Sequence, residues 1–495
     1  MRLSMFYSTL LLTGVNLLLR LVATSFQVYI SGRIGATGVG LLQLVLSVAM
    51  LAETAGIAGV RTAAMYLSAE ELGRKHLGMI PKILSSCTIY SVICGGVVSA
   101  ALYGGAPLLA EHWINDLRTV GALRLFALVL PLECICGVLR GYFAASERIG
   151  TLAAVGIGEQ LCSMAVTMAV LTAWAGSDPA RACQAIILGS GAGTCLALVS
   201  LGVLCPHTDR GQPVPQRGVV RRLLRIAVPL ALADDLKAGL SAAEKLVIPK
   251  RLMLHTGTEA PMAAFGVVCG MVLPVLMLPA AILFALAELL IPELARCAAV
   301  GSTRRIRYLT RRSLRMAMLY GLCCGGLLFL LAAPLGETLY HSEEAGRYLM
   351  LFALLSPMLY CDALIDAMTK GLGQQTYCVR YNIITSALDL LLLYILLPRY
   401  GMYGYFLSFF ATHLLNFALS IRRLLIAAQI SVSFYRPALA GLSTLLSIWV
   451  AAQFPVGLPR TALFLGMSWG LYWAFGALRR EDLQWARGLM KIRRP

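Results

Sequence analysis

Residues Leu314–Ala333 read LRMAMLYGLCCGGLLFLLAA and contain one charged residue, Arg315. Crossing the ~30 Å hydrocarbon core of a bilayer takes about 20 mostly apolar residues in an α-helix, and this stretch has that length. Only α-helices and closed barrels satisfy their own backbone groups in lipid, and a barrel strand needs roughly ten residues. The stretch therefore predicts a transmembrane helix.

Similar apolar stretches make up most of the chain, which has 495 residues, of which 59% are hydrophobic and 13% charged. The others are Phe6–Ile30, Val39–Tyr66, Ile83–Leu109, Val120–Phe143, Leu152–Trp174, Ala185–Cys205, Ile226–Ile248, Ala263–Leu290, Leu349–Met368, Tyr381–Leu397, Met402–Leu425, Pro437–Phe454 and Thr461–Leu478. The sequence thus predicts an all-α polytopic membrane protein with fourteen transmembrane helices, numbered spans 1 to 14 in chain order.

The basic residues lie mainly between the spans. In a soluble protein, the formal net charge of +18 would suggest nucleic acid as a partner. With the N-terminus inside, however, most of the Lys and Arg fall in segments predicted to face the cytoplasm, as the positive-inside rule requires. The largest clusters are Arg217, Arg221, Arg222 and Arg225; Arg304, Arg305, Arg307, Arg311, Arg312 and Arg315; and Arg487, Lys491, Arg493 and Arg494. We therefore expect both termini in the cytoplasm, contacts with anionic lipids and no nucleic-acid partner.

A proline- and glycine-rich segment, Pro206–Gly218, divides the spans into two groups. The predicted organisation is an N-terminal six-helix lobe at 1–205, a basic cytoplasmic linker at 206–225, a second six-helix lobe at 226–428, two additional helices at 429–478 and a basic cytoplasmic tail at 479–495. Leu123–Pro131 in span 4 resembles Leu349–Pro357 in span 10, which favours a duplication. Two like-oriented halves would place a cavity around a pseudo-two-fold axis along the membrane normal.

Signatures of soluble enzymes are absent from the sequence. It contains no H-E-x-x-H, G-x-x-x-x-G-K-[ST] or G-x-S-x-G motif, and no predicted loop is long enough for a catalytic domain. The 14 cysteines lie mostly inside spans and the six histidines are scattered, which argues against a disulfide framework or a zinc site. We expect a protein that is not an enzyme, needs no cofactor or metal, and retains its first span rather than losing it as a signal peptide.

The charged residues inside spans are the candidate functional groups, because an ionisable group in hydrocarbon costs at least ~2.5–3.5 kcal/mol. Arg20 lies near mid-depth in span 1. It is either an anion contact that faces a cavity, which we favour, or a structural arginine paired within the bundle. Glu53 lies in the middle of span 2 and Glu159 in span 5.

Span 4 carries Glu133 and Arg140, seven residues apart and hence on one helical face. Gly137 and Gly141 share that turn, and this spacing of small residues indicates close helix packing more often than ligand contact.

Span 7 is the most heavily charged span. Its ionisable residues are Asp234, Asp235, Lys237, Glu244 and Lys245. Asp234 and Lys237 are three residues apart and can pair. A helix this polar cannot face lipid, so it lines a water-filled cavity, which we favour, or a tightly paired interior.

Span 10 carries Asp362 and Asp366 one helical turn apart, either as an ion-coupling site or as a solvated pair near the inner end. Pro274, Pro279 and Pro357 predict interruptions in spans 8 and 10.

Several short motifs, in this order and spacing, resemble the stage V sporulation protein B group. They are Phe26–Ile30 (FQVYI), Arg140–Phe143 (RGYF), Ile248–Leu252 (IPKRL), Phe265–Pro274 (FGVVCGMVLP), Leu290–Leu294 (LIPEL), Lys370–Gly373 (KGLG) and Arg399–Tyr405 (RYGMYGY). This group belongs to the polysaccharide-transporter branch of the multidrug/oligosaccharidyl-lipid/polysaccharide (MOP) exporter superfamily, which also includes the lipid II flippases. The resemblance covers essentially the whole chain.

The resemblance implies a bacterial plasma-membrane protein with two six-helix lobes plus two helices, alternating access and a lipid-linked cell-wall saccharide as cargo. Lipid II flippases also use arginine on the first span, where Arg20 lies. Where the family often has an Arg three residues after the Glu-Gln of span 5, this chain has Ser163. We expect the protein to act as a monomer.

Three hypotheses follow. The leading one is a flippase for an undecaprenyl-pyrophosphate-linked saccharide, with Arg20 and Lys237 as the first phosphate contacts and Lys245 and Arg140 next. The carboxylates that would hold these cations and meet sugar hydroxyls are Glu53, Glu133, Glu159, Asp234, Asp235 and Glu244. The second hypothesis is a multidrug or cation antiporter of the MATE type, with Asp234/Asp235 and Asp362/Asp366 as the ion site. A polytopic saccharide polymerase or ligase is a distant third.

Overall fold

The computed structural model describes residues 2–57, 59–74, 77–146, 148–175, 178–205, 218–255, 260–430 and 435–478. Most of the predicted linker (residues 206–217) and the whole predicted tail at 479–495 therefore lie outside the described residues. All regular elements of the described ranges are helices.

Sixteen α-helices follow one another along the described chain. They are α1 (Arg2–Ile57), α2 (Val60–Gly73), α3 (Ile80–Leu108), α4 (Val120–Ala145), α5 (Ile149–Val170), α6 (Pro179–Leu204), α7 (Val219–Leu252), α8 (Pro261–Gly266), α9 (Leu273–Met277), α10 (Ala280–Ala299), α11 (Thr303–Tyr340), α12 (Glu343–Ala353), α13 (Ser356–Gly371), α14 (Gln375–Ala428), α15 (Tyr435–Ala451) and α16 (Leu458–Ala474). Short π-helical segments at Leu109–Ile114, Leu171–Ala175 and Val267–Val272 extend α3 and α5 and join α8 to α9.

The two longest helices are each broken at one glycine. In α1 the break is at Gly35 (φ 69°, ψ 175°), and in α14 it is at Gly401 (φ 58°, ψ −139°). A positive φ costs glycine little but strains residues with a Cβ, so glycine permits the chain to turn there. At ~1.5 Å per residue each helix is more than 75 Å long, about twice what one membrane crossing needs.

Contacts between helices divide the chain into two compact units, Met1–Gly266 and Val267–Pro495, here named the N-terminal and the C-terminal unit. In the N-terminal unit, α1 packs against α3, α4, α5, α6, α7 and α8, and α4 packs against α2, α3 and α6. In the C-terminal unit, α11 packs against α12, α13 and α15, and α14 packs against α13. Helix α7 is thus grouped with the N-terminal helices, while the predicted lobes 1–205 and 226–428 stay a prediction.

Seven helices of the described residues are long and apolar enough to cross a membrane, or nine if each of two bent helix pairs forms one span. The bends, of 60° and 57°, lie between Met277 and Ala280 and between Ala353 and Ser356. Pro279 and Pro357 lie at these breaks, as predicted, because proline removes a helical hydrogen bond. Helix α7, with its many charges, and α15 and α16, with 17 residues each, fall outside this group of seven. The count of fourteen spans therefore stays a prediction.

Candidate functional site

All ten predicted substrate-binding residues lie in the N-terminal unit, on four of its helices. Arg20 and Glu53 are on α1, Glu133 and Arg140 on α4, Glu159 on α5, and Asp234, Asp235, Lys237, Glu244 and Lys245 on α7. Because α1 packs against α4, α5 and α7, one helix connects all four elements.

Four of these residues form a connected group, here named the carboxyl–arginine network: Glu53, Glu133, Arg140 and Glu159. The Arg140 guanidinium donates from one nitrogen to both oxygens of Glu159, at 2.6 Å each. The Glu53 and Glu133 carboxyl groups are in hydrogen-bonding contact, and Arg140 acts electrostatically on both. Thr194 on α6 donates a hydrogen bond of 3.2 Å to Glu133. Four helices therefore contribute polar groups to a single network.

Close helix packing brings these side chains together. A Cβ at Gly141 would collide with the backbone carbonyl of Arg61 on α2, so α4 and α2 touch through their backbones. A Cβ at Gly193 on α6 would lie 2.7 Å from the carbonyl oxygen of Glu159. The close helix packing predicted for Gly137 and Gly141 is found at Gly141, whereas a Cβ at Gly137 would come no nearer than 4.0 Å to Arg61.

The carboxyl–arginine network contains one cation, Arg140, and that cation is already paired. Both oxygens of Glu159 already accept from Arg140, and the Arg140 and Glu159 side chains are 32% and 25% exposed. Arg140 is therefore compensated where it lies, and an anionic ligand would have to compete with Glu159 for it.

Other cations in the N-terminal unit are more accessible. Arg20 and Lys237 are exposed, and Lys245 is half-buried. The predicted pair between Asp234 and Lys237 is not formed within the described residues, and Asp234 is exposed as well. One oxygen of Asp235 is buried with no hydrogen-bond partner among the described residues. The charged face of α7 is therefore exposed at Asp234 and Lys237 and half-buried at Asp235, Glu244 and Lys245.

The C-terminal unit holds a polar cluster of a different kind. Asn416 on α14 donates a hydrogen bond of 2.8 Å to Asp362 on α13. Within the described residues, one oxygen each of Asp362, Asp366, Asn416 and Ser420 is buried without a hydrogen-bond partner. Asp366 also lies 3.8 Å from Lys370, its neighbour one turn along α13.

Sequence reasoning missed several partners in this cluster. Asp389, in the first half of α14, accepts hydrogen bonds from Ser408 at 2.6 Å and Thr412 at 3.1 Å in the second half. The buried side chains Ser408, Thr412, Asn416 and Ser420 recur every four residues and so form one stripe along α14. That spacing is readable in the sequence and is the signal that could have found them.

Comparison with protein families and curated proteins gives consistent relatives. Residues 6–234 match the family described as "Polysaccharide biosynthesis protein". The chain is 22% identical over 400 residues to Stage V sporulation protein B of Bacillus subtilis (strain 168), covering 79% of this chain and 77% of that protein. It is also 22% identical over 279 residues to Sporulation protein YkvU of the same organism, covering 54% of this chain and 62% of that protein.

Solved structures share the fold at low identity. Lipid II flippase MurJ, in an inward closed conformation, matches with a TM-score of 0.72 and 11% identity, covering 96% of this chain and 99% of that one. An inward-facing multidrug resistance MATE family transporter of the MOP superfamily matches with a TM-score of 0.62 and 12% identity, covering 85% and 100%. These neighbours are transporters and flippases rather than enzymes. The predicted resemblance is confirmed: the chain is similar to Stage V sporulation protein B and shares its all-α fold with the MurJ and MATE transporter structures.

Proposed function

We propose that this transporter is a flippase that moves an undecaprenyl-pyrophosphate-linked saccharide, such as a peptidoglycan precursor, from the inner to the outer leaflet of the bacterial plasma membrane. The observation that carries the proposal is the collection of cations and carboxylates on α1, α4, α5 and α7 of one unit, the first three of which are apolar enough to cross a membrane. Charges at such depth are costly unless they face a polar path or one another. The names of its relatives, a sporulation protein and a lipid II flippase, support the same class of cargo.

The cargo's chemistry explains why cations and carboxylates are both needed. A pyrophosphate carries negative charge into the membrane, and a planar guanidinium can donate two hydrogen bonds to it at once. Sugar hydroxyls donate and accept, so carboxylates around the path can bind them. A lateral opening would leave the lipid tail in the bilayer while the headgroup crosses by alternating access.

Side-chain exposure and pairing support an order of preference among the cations as phosphate contacts. Arg20 and Lys237 are exposed within the N-terminal unit, which favours them as phosphate contacts. Lys245 is half-buried and comes next. Arg140 is held by both oxygens of Glu159, and we assign it the role of keeping the carboxyl–arginine network in place. The carboxylates of α7, Asp234, Asp235 and Glu244, then face the saccharide.

The polar cluster of the C-terminal unit supports a coupling ion. Asp362 on α13 faces Asn416 on α14. One helical turn further along, α13 carries Asp366 and α14 carries Ser420. Unpaired buried oxygens are expensive, and a small monovalent cation takes oxygen ligands. We propose that a cation binds there and biases the cycle, because a ligand shifts a conformational equilibrium only through unequal affinity for the two states.

A second candidate, a drug or cation antiporter, is favoured by the same carboxylates and by the fold shared with MATE transporters. It would carry a cationic cargo instead of an anionic one. The sign of the charge on the cargo therefore separates the two functions, and the exposed Arg20 and Lys237 favour an anion.

Leaflet accessibility of the lipid-linked precursor tests the proposed function. In cells depleted of the protein, the precursor should become inaccessible to an enzyme or reagent added from outside, and expression of the wild-type chain should restore access. Unchanged access, together with altered sensitivity to cationic drugs, would instead establish the antiporter.

The orientation, contact with anionic lipids and monomeric state belong to the same proposal. Reporter domains fused after Pro206 and after Arg494 should both be active only in the cytoplasm. An external signal from either fusion would contradict the proposed topology. Native mass measurement of the purified protein should give one chain with bound anionic phospholipid.

A further inference from the structure

Helix α7 is attached to the rest of the N-terminal unit close to both of its ends. Near its start, Arg222 forms ion pairs with Glu70 and Glu71 of α2, the one to Glu71 at 3.1 Å. Near its end, the Lys250 ammonium donates a hydrogen bond to the carbonyl oxygen of His112. These two attachments, the Arg222 tie and the Lys250 tie, are about 42 Å apart along α7 at ~1.5 Å per residue, which is the full thickness of a bilayer with its headgroups.

The Arg222 tie is built on a buried charge. Glu71 is fully buried, whereas Arg222 and Glu70 are partly exposed. Arg74 adds a contact of 2.8 Å to Glu70 but lies 4.0 Å from Glu71. Separating α7 from α2 would take the Arg222 guanidinium away from the buried Glu71 carboxylate, and losing one partner of a buried ion pair is destabilising.

The Lys250 tie rests on a different feature of the fold. The last carbonyl groups of a helix have no partner inside that helix. His112 belongs to the π-helical segment Leu109–Ile114, which ends at Asn115 in the left-handed conformation (φ 60°). Lys250 therefore satisfies an end carbonyl across to α3, through one hydrogen bond to a neutral group.

The part of α7 between the ties is packed on one face and open on another. Ala227, Ala242 and Leu246 are buried, whereas a Cβ at Gly239 would meet nothing within 4 Å. Pro229 and Pro249 lie inside the helix, and each removes a backbone hydrogen bond, which lets the helix bend. Asp234 and Lys237, on this same stretch, are exposed within the unit.

We propose that the two ties are locks that open in turn: release of the Arg222 tie admits solvent to the charged face of α7 from the predicted inner side, and release of the Lys250 tie admits it from the predicted outer side. The proposal rests on the alternating-access flippase proposed above. It also gives the two locks unequal strength, since a charge-paired lock with a buried carboxylate holds more firmly than a single hydrogen bond to a carbonyl. The inner side is then the one that needs a ligand, such as an anionic headgroup that competes for Arg222, to open it.

Labelling of one cysteine from the two sides of the membrane tests the locks. Ser241→Cys places a thiol on the charged face of α7, and a membrane-impermeant thiol reagent is added to inside-out or right-side-out vesicles. Arg222→Gln should increase labelling of this cysteine from the inner side by about tenfold, and Lys250→Met should increase it from the outer side by a smaller factor. No change from either side, or the same side for both variants, would overturn the proposal.

Matched variants separate a lock from a folding defect. Arg221 is exposed and makes no ion pair within the described residues, so Arg221→Gln removes the same charge beside the tie and should leave labelling unchanged. If Arg222→Gln does not insert into the membrane, Arg222→Lys is the substitute, because it keeps a positive charge for Glu71. Labelling from the inner side should then increase by an intermediate factor. Labelling equal to that of the wild type would count against the lock. Labelling needs no cargo, so a failed flipping assay with correct labelling would refute only the proposed function.

Discussion

The two units of this protein solve the same problem, polar groups inside a membrane fold, with opposite chemistry. The N-terminal unit combines cations with carboxylates: Arg140 is bound by Glu159, while Arg20 and Lys237 are exposed. In the C-terminal cluster, Asp362 has an amide neighbour and Asp366 a lysine one turn away, and one oxygen of each finds no hydrogen-bond donor among the described residues. The exposed cations of the first arrangement suit an anion, and the unpaired carboxylate oxygens of the second suit a cation.

Under the proposed function, this difference would separate cargo binding from ion coupling. If both clusters bound the same ligand, their charges would have the same sign. Instead, an anionic cargo would bind in one unit and a small cation in the other, so changes in one should alter cargo affinity and changes in the other should alter ion dependence. The comparison fails if variants in the two units have the same effect.

The largest effect is expected for Arg20. Arg20→Ala should abolish flipping while the protein still inserts, because losing a charged contact to a desolvated phosphate costs about 2–5 kcal/mol, or about 30-fold or more in affinity. Arg20→Lys should rescue flipping only in part, since an ammonium cannot make the two-pronged contact. Complementation of depleted cells, measured beside membrane abundance, checks both.

Arg33→Ala is the control for Arg20. Arg33 is an exposed arginine on the same helix, with its guanidinium 5.6 Å from the centre of the Tyr29 ring, and its loss should leave flipping intact. Normal flipping by a stable Arg20→Ala protein would remove Arg20 from the cargo site. Low abundance of that protein, restored by a second Glu→Gln change at Glu53 or Glu133, would show that Arg20 is structural.

The next largest effect is expected for stability, at Arg140. Arg140→Ala leaves the Glu159 carboxylate without its guanidinium and weakens the compensation of Glu53 and Glu133. The pair is about a third exposed, so we expect a loss of about 1–3 kcal/mol, less than for a fully buried pair. Thermal unfolding in detergent measures it.

A double variant shows whether Arg140 acts on the network or on the cargo. Arg140→Gln with Glu159→Gln removes both charges and should recover most of the stability lost by Arg140→Gln alone, with flipping largely retained. A double variant that is stable but inactive would return Arg140 to the phosphate contacts.

A smaller, more selective effect is expected at Asp362. Added Na⁺ or acid should stabilise the purified wild-type protein, and Asp362→Asn should abolish this stabilisation. The same change should lower the ion dependence of flipping by about tenfold and leave cargo affinity unchanged. Asp389→Asn is the comparison, since Asp389 already accepts from Ser408 and Thr412. Equal ion-dependent stabilisation of wild type and Asp362→Asn would exclude a cation site at this residue.

The all-α fold could be predicted from the sequence because long apolar stretches indicate membrane helices, which satisfy their own backbone hydrogen bonds in lipid. The resemblance indicated the superfamily. Residue spacing did less well at joining stretches. Helix α14 runs through two predicted spans and is broken only at Gly401, while α1 covers span 1 and the first part of span 2, whose remainder lies in α2. Grouping of α7 with the N-terminal helices was not foreseen, since a linker marks where a chain is interrupted and not which helices touch.

The candidate site residues stay a prediction, but the structure shows contacts of theirs that the sequence did not indicate. A charge within an apolar stretch is visible in one helix, whereas the contacts of Glu133 with Thr194 and of Asp362 with Asn416 depend on the register between helices 54 or more residues apart in sequence. The pair that Asp234 and Lys237 can form is not made, because spacing within a helix permits a contact without requiring it. The stripe from Ser408 to Ser420 needed only the four-residue period of α14.

The smallest effect is expected outside the spans, at Asp116, and it calibrates the comparison. Arg118 donates to Asp116 from its backbone and side chain, and this bonding lowers the pKa of the Asp116 carboxyl below its usual value of 3.8. Since the folded pKa is depressed, the stabilisation is fully present above that usual value and is lost only as the pH falls through the folded pKa.

Asp116→Asn keeps an acceptor for the Arg118 backbone N–H but removes the charge, and Arg118 is 62% exposed, so the loss of stability should be less than about 1 kcal/mol. Thermal unfolding of wild type and variant should therefore differ by the same small amount at pH 8 and pH 5 and converge only below about pH 4. A loss at Asp116 as large as that at Arg140 would mean that membrane burial adds nothing to an ion pair in this protein, and the contrast between the charged network and the water-exposed pair would have to be abandoned.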